Sequence, residues 1–397
     1  MSNNISNFEP VSLMEPMIPT ESVTVLDNLV IELIEGSARL SGLINPIVQR
    51  SIGDLVRSMN CYYSNFIEGH NTHPRDIERA LTSDFSNTPK KRALQQEAKA
   101  HIEVQKLIDL APANSITTSS DYICWIHHEF FTRLPAEMLF VENPDTKTKL
   151  AILPGKFRTS GVAVGRHIPP IAENLSRFMS RFEEAYQPER LSKLRQVIAV
   201  AASHHRLAWI HPFFDGNGRV TRLFSHAYFK QIGVGCSLWS VSRGLARSTN
   251  NYKQKLANAD EHRRGDLDGR GSLTQQGLIE FCEYFLKTCV DQIEYMTTLI
   301  NPTEFLRRVE IYCEEETRAG RLPKKSFALI REAWHQGEFP RGMAGSITNY
   351  GSRQASNILN ELVKKKILIS DTPKGPVRLH FPVDIVERWF PNLYPDI

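Results

Sequence analysis

The sequence predicts a mainly α-helical protein with one β-hairpin and a C-terminal winged helix-turn-helix unit. Three observations carry that class. Apolar residues recur at steps of three and four over most of the chain, residues 150–170 break that spacing, and the tail combines three short helical patterns with a turn-rich segment. At 397 residues the chain exceeds what one hydrophobic core usually fills, so more than one domain is expected.

Taken in order, "PIVQRSIGDLVRSMNCYYSNFIEG" sets Val48, Ile52, Leu55, Tyr62, Phe66 and Ile67 roughly on one stripe, and the chain up to about residue 145 reads as helical. In "LAILPGKFRTSGVAVGRHIPP", β-branched residues alternate around Gly155 and Gly161 until Pro169 and Pro170 stop the pattern, which predicts a β-hairpin. "LSKLRQVIAVAASHHRLAWI" places Leu191, Leu194, Ile198, Ala201, His205 and Ala208 as a buried helix would, running straight into His211. "RVTRLFSHAYFKQIG" predicts a second helix ending at Gly233. The stretch between, "HPFFDGNGRVTR", is therefore a helix-loop-helix junction. "NPTEFLRRVEIYCEEETRAG" reads as an amphipathic linker helix. After it come three short helices, "KKSFALIREAWHQ", "AGSITNYG" and "SRQASNILNELVKKKILI", and a wing, "SDTPKGPVRLHF".

Net charge is +4, and from Gly320 onward twelve Lys and Arg face seven Asp and Glu, so the basic excess lies in the tail. Cys61, Cys124, Cys236, Cys282, Cys289 and Cys313 form no CxxC pair, which argues against a zinc site or a disulfide framework and predicts buried, reduced thiols. The start lacks a basic region followed by an apolar run, and no segment has the apolar length of a membrane span; a cytoplasmic protein without a membrane partner is expected. His204 and His205, and the histidines of "WIHHEFF", lack the spacing of a metal-ligand pair.

The junction carries the chemistry. Its glycines let successive N–H groups converge, and the following helix adds the positive end of its dipole, which makes an anion pocket. Arg219 and Arg222, three apart, can grip the outer phosphates of a nucleotide, Asp215 supplies a hard oxygen for Mg²⁺, and His211 can act as general base. The set suits Mg²⁺-dependent transfer from a nucleoside triphosphate.

"HPFFDGNGRVTR" matches the pattern His-Pro-Phe-x-Asp/Glu-Gly-Asn-Gly-Arg-x-x-Arg, and the chain resembles the Fic family over about residues 50–290. The resemblance implies a Fic/Fido helical core with a β-hairpin flap, plus the winged helix-turn-helix domain. It divides the chain into an N-terminal helical region with an inhibitory motif (1–110), a catalytic core (111–300), and a linker helix with the winged unit (301–397). It implies a protein adenylyltransferase that moves AMP from ATP, with Mg²⁺, to a Ser, Thr or Tyr hydroxyl of a target protein. His211 would be the base, Phe213 the loop anchor and Asp215 the metal ligand. Gly216, Asn217, Gly218, Arg219 and Arg222 would hold the phosphates. Gly216 follows the AMP-transferring pattern, in contrast to a kinase-like relative with Ala there. The stretch from Gly155 to Pro170 resembles the flap that pairs with a target strand, and Tyr252 sits where an adenine-pocket residue is often found, with a plain core tyrosine as the other reading.

"SNFIEG", Ser64 to Gly69, resembles the family's inhibitory pattern Ser/Thr-x-x-x-Glu-Gly/Asn. Gly69 predicts a helix end there, so Glu68 would lie in the last turn, where the helix dipole disfavours a carboxylate and a cationic partner is called for. The resemblance makes that partner Arg222. Two further readings stand beside autoinhibited transfer: removal of AMP by the same site with Glu68 orienting a water, and an ATP-sensing regulator that binds DNA through Arg353, Gln354, Asn357 and Asn360. Self-association as a homodimer is a further expectation of the resemblance.

Overall fold

Capping residues set where several helices begin, and glycines where two that build the site end. In the computed structural model, which describes residues 8–20, 23–112, 116–142, 147–235 and 237–394, the first long helices are α1 (Thr24–Gly42) and α2 (Pro46–Ile67). The Asn45 side chain accepts the Ile47 N–H at 2.9 Å, and Pro46 occupies the first turn, where its missing N–H costs nothing. The other end stops because Gly69 adopts φ +82°, which leaves Glu68 as the C-cap. Helices α3 (Pro74–Leu81), α4 (Pro89–Leu110) and α5 (Ser120–Phe131) follow.

The hairpin is displaced from its expected place. Strands β1 (Phe140–Glu142) and β2 (Lys149–Ala151) pair antiparallel with Val141 opposite Leu150, whereas the expected stretch 155–170 holds only the bridge Val164–His167 among its described pairings. The physical reason is Arg158, whose guanidinium takes the carbonyls of Ser160 at 3.0 Å and Pro170 at 2.5 Å and folds the segment into a loop.

Helices α6 (Leu175–Tyr186), α7 (Lys193–Ile210), α8 (Asn217–Gln231), α9 (Val241–Arg247), α10 (Thr249–Ala259) and α11 (Gln275–Leu299) form the core, with α11 packed against α1, α7, α9 and α10. Both predicted helices flanking the junction are present. Ser192 caps α7, whose small residues Ala199, Ala201, Ala202 and Ser203 are all buried among neighbouring helices, and Gly233 at φ +75° ends α8.

The C-terminal part begins with α12 (Pro302–Arg318), the expected amphipathic helix. Then come α13 (Ser326–Gln336), β3 (Glu338–Phe339), α14 (Ala344–Thr348), α15 (Ser352–Lys364), β4 (Leu368–Ile369), β5 (Val377–Leu379) and α16 (Val383–Trp389). The strands make an antiparallel sheet in the order β3-β5-β4.

This part lies along α2. Asn45 donates to the Gln336 carbonyl at 3.4 Å, Arg378 donates to the Ser51 hydroxyl at 3.3 Å, the Tyr63 hydroxyl donates to the Leu393 carbonyl at 2.9 Å, and Tyr62 meets Tyr394 edge-on at 5.3 Å. With α4, α8 and α9 on its other sides, α2 is buried nearly all round rather than along one stripe; Phe66 alone of the six stripe residues stays open, at 41% exposed. Of the cysteines, Cys61, Cys282, Cys289 and Cys313 are buried free thiols and Cys124 is a partly buried one, while Cys236 lies outside the described residues.

Candidate functional site

The junction between α7 and α8 is held by its own side chains. His211 ends α7 with φ +49° and ψ 61°, a left-handed conformation uncommon for a side-chain-bearing residue and often found at functional sites. Phe213 is buried, stacked on His127 at 3.9 Å. Asn217 closes the loop into a ring: its Oδ1 accepts the Phe213 N–H at 3.0 Å and its Nδ2 donates to the Phe213 carbonyl at 2.8 Å. The Asn217 side chain therefore serves the turn. Gly216 has φ +77°, and a Cβ there would lie 2.6 Å from the Phe131 ring, so no other residue fits without moving that ring. The N-terminus of α8 then opens onto the loop with its first N–H groups free of helical partners.

Both arginines are buried and occupied. Arg222, 1% exposed, donates Nε to the Ser64 hydroxyl at 2.8 Å and Nη2 to the Ser64 carbonyl at 3.0 Å and to Glu68 Oε1 at 2.5 Å. Glu68 also reaches into the turn that opens α8, since a Cβ on Gly218 would collide with its Oε1. Burial alone would raise the Glu68 carboxyl; the charge and hydrogen bond of Arg222 outweigh it and hold the group below its ordinary range. Arg219, 5% exposed, is paired with Glu97 of α4, lies 3.5 Å from Asp215 Oδ2, and sits over the Phe130 ring at 5.1 Å. Burial pulls Arg219 down to about 10, which leaves it charged at neutral pH. Glu97 in turn meets His70 Nδ1 at 2.7 Å. Both arginines are thus clamped by carboxylates, Arg222 by Glu68 at the end of α2, the partner the resemblance implies for it, and Arg219 by Glu97 of α4.

The remaining residues divide. Asp215 keeps its side chain 46% exposed at the mouth of the loop, with Oδ1 accepting the Gly216 N–H at 2.6 Å. Burial lowers the His211 imidazole to about 4, with the charges of Arg158 and His167 adding to the effect and Glu68 opposing it, so the ring is neutral near pH 7. Tyr252 does not offer its ring to solvent: it is 4% exposed, and its hydroxyl lies 2.7 Å from Nε2 of His204, so in this conformation it packs as a core tyrosine. His204 spends its other nitrogen on Ser225 at 2.8 Å, consistent with a structural histidine.

Sequence reasoning missed Glu97, His70, His127 and Arg158. His127 Nδ1 accepts the Gly155 N–H at 2.9 Å, joining the loop segment to the ring stack under Phe213. No local sequence signal marks these four, because each acts on residues distant in the chain.

Residues 117–229 match the Fic/DOC family. The protein adenylyltransferase Fic of Drosophila erecta is 43% identical over 79 residues, 20% of this chain and 16% of that protein, and the Drosophila melanogaster protein of the same name matches to the same extent. The aligned stretch thus spans only 16% of the length of these curated relatives. Among solved structures, a Fic family protein from Desulfovibrio desulfuricans G20 aligns with a TM-score of 0.51 at 17% identity over 92% of this chain and 98% of its own. Fic-1 from C. elegans aligns with a TM-score of 0.53 at 14% identity over 70% of this chain and 74% of its own. At these identities the likeness is one of fold, and it includes the small β-hairpin in a mainly helical frame.

Removing a carboxylate that neutralises a buried guanidinium leaves an uncompensated charge. Glu97→Ala is therefore expected to lower the unfolding free energy by about 3 kcal/mol, measured by urea denaturation; a change below about 0.5 kcal/mol would mean that Glu97 contributes nothing to holding Arg219.

Proposed function

We propose, from the Fic domain that residues 117–229 form, that this chain is a protein adenylyltransferase held off by Glu68. The single observation that carries the regulatory part is where the Glu68 carboxylate lies, bonded to Arg222 at 2.5 Å and pressed against Gly218 of the phosphate turn. A carboxylate in that position takes the seat and the counter-charge that the outermost phosphate of ATP would use.

In the active state His211, neutral near pH 7, accepts the proton of a target hydroxyl. The hydroxyl oxygen forms a bond to the α-phosphorus as the bond from that phosphorus to the bridging oxygen breaks, and pyrophosphate leaves with the electron pair. Gly216, Gly218 and the main chain at Asn217 receive the inner phosphates, and Arg219 and Arg222 the outer ones. Asp215 fits a Mg²⁺ ligand: its half-exposed carboxylate at the mouth of the proposed phosphate site suits an ion that takes its remaining oxygens from phosphate and water. When bound, Mg²⁺ would neutralise charge on the phosphates. The loop 155–170, with the hairpin of β1 and β2 before it, borders the junction and is the proposed place for the target segment. The proposed setting is the cytoplasm; no described helix is long and apolar enough to cross a membrane.

A second reading concerns the C-terminal part, which we infer to be a winged helix unit that contacts DNA. It is supported by α15, which buries Ala355, Ile358, Leu359 and Leu362 and leaves Arg353, Gln354, Asn357 and Asn360 exposed along the opposite face, side chains suited to phosphates and base edges.

Intact-mass spectrometry after incubation with ATP and Mg²⁺ tests the main reading. Glu68→Gly is expected to gain AMP by self-modification, and wild type and Glu68→Gly/His211→Ala are expected to gain none. Transfer that persists without His211 would remove it as the base, and wild-type transfer equal to that of Glu68→Gly would remove Glu68 as the inhibitor. Should none gain mass, release of AMP from a pre-modified target by wild type but not by His211→Ala would assign the site to the reverse reaction.

A further inference from the structure

We infer that Arg158 is a positioning residue for the transfer reaction, fixing His211 in the backbone conformation that aims its ring and tying the loop 155–170 to the catalytic turn. The inference rests on the reading of His211 as the base. Arg158 is 2% exposed, and each of its guanidinium nitrogens donates to a main-chain carbonyl: Nε to His211 at 2.8 Å, Nη1 to Ser160 at 3.0 Å and Nη2 to Pro170 at 2.5 Å. Its own N–H donates to the Pro212 carbonyl at 2.9 Å, so one residue grips two successive carbonyls at the start of the motif.

Those two carbonyls sit where the backbone most needs holding. His211 has φ +49° without being glycine, a conformation that persists only where surroundings enforce it. Arg158 is the enforcing contact from one side, and the Phe213–Asn217 ring enforces it from the other. The planar fork is what allows one side chain to span three carbonyls; a lysine ammonium has the charge but not the reach. The loop is caught at three points by the same core, through Arg158, through Gly155 to His127, and through His167, whose Nε2 lies 2.7 Å from the Trp209 carbonyl at the end of α7. A target segment seated on this loop would therefore be registered against His211 itself.

The charged groups that act on the His211 ring are Arg158 and His167 of the loop, which oppose its protonation, and Glu68 of α2, which favours it. Replacing Arg158 removes one cation and admits water to the ring, and both changes raise the pH at which His211 titrates. Mere loosening of a distant part of the fold has no such signature.

The test uses the full-length chain with Glu68→Gly, comparing Arg158→Gln and Arg158→Lys. Two readouts are taken: His211 titration by NMR, its resonance identified by loss in His211→Ala, and steady-state AMP transfer. Arg158→Gln is expected to titrate at higher pH than the parent and to lose about tenfold or more in kcat, with the KM for ATP changed by less than about twofold. Arg158→Lys is expected to keep the titration near the parent value and still fail to restore kcat. An unmoved His211 titration in Arg158→Gln, or a loss confined to KM, would overturn the inference. A parent that transfers no AMP would count against the transferase reading, while the NMR comparison would still decide whether Arg158 holds the histidine.

Discussion

The buried guanidinium of Arg222 is the group on which the site depends. A charge 1% exposed must be matched within the fold, and Ser64 and Glu68, 158 and 154 positions earlier in the chain, match it with three hydrogen bonds. Glu68 is itself a poor residue for the place it occupies, since a carboxylate at a helix C-terminus faces the negative end of the dipole. The pair settles both difficulties at once, which is why the α2 terminus and the α8 N-terminus sit against each other. Any ligand that brings phosphate to the turn competes for the same guanidinium.

That competition is not relieved by moderate acid. Burial alone would raise the Glu68 carboxyl, Arg222 more than reverses this, and the folded-state value lies below the ordinary one. A depressed carboxylate contributes its stability above the ordinary pKa and loses it only as pH falls through the lowered value. Release accordingly calls for a ligand or for movement of α2. That helix is the element shared by both halves of the molecule: one side faces α4, α8 and α9, and the other is held by Gln336, Arg378, Leu393 and Tyr394 of the C-terminal part.

What the sequence made legible was local. The junction is twelve contiguous residues flanked by strong helical spacing, so the two helices on either side of it could be read directly. Glu68 was legible because a carboxylate before a helix-ending glycine asks for a cation. What failed was non-local. The alternating residues around Gly161 look like strands, yet Arg158 takes the carbonyls that a ladder would use, and the strands that do pair, 140–142 with 149–151, are three residues long and carry charges. Tyr252, read as an adenine-pocket residue or a core tyrosine, is buried beside His204, and nothing in its local spacing decides between the two. Glu97 and Arg158 act on residues 122 and 53 positions away, and no spacing rule reports a contact at that distance.

The most direct measurement of the central claim is calorimetric: the affinities of the wild type and of Glu68→Gly for ATP and ADP. If Glu68 holds the guanidinium that the third phosphate needs, the wild type binds the two nucleotides alike, and Glu68→Gly gains a preference for ATP of about tenfold, the worth of one charge-assisted contact. A wild type that already favours ATP, or a substitution that strengthens ATP and ADP equally, would contradict the account.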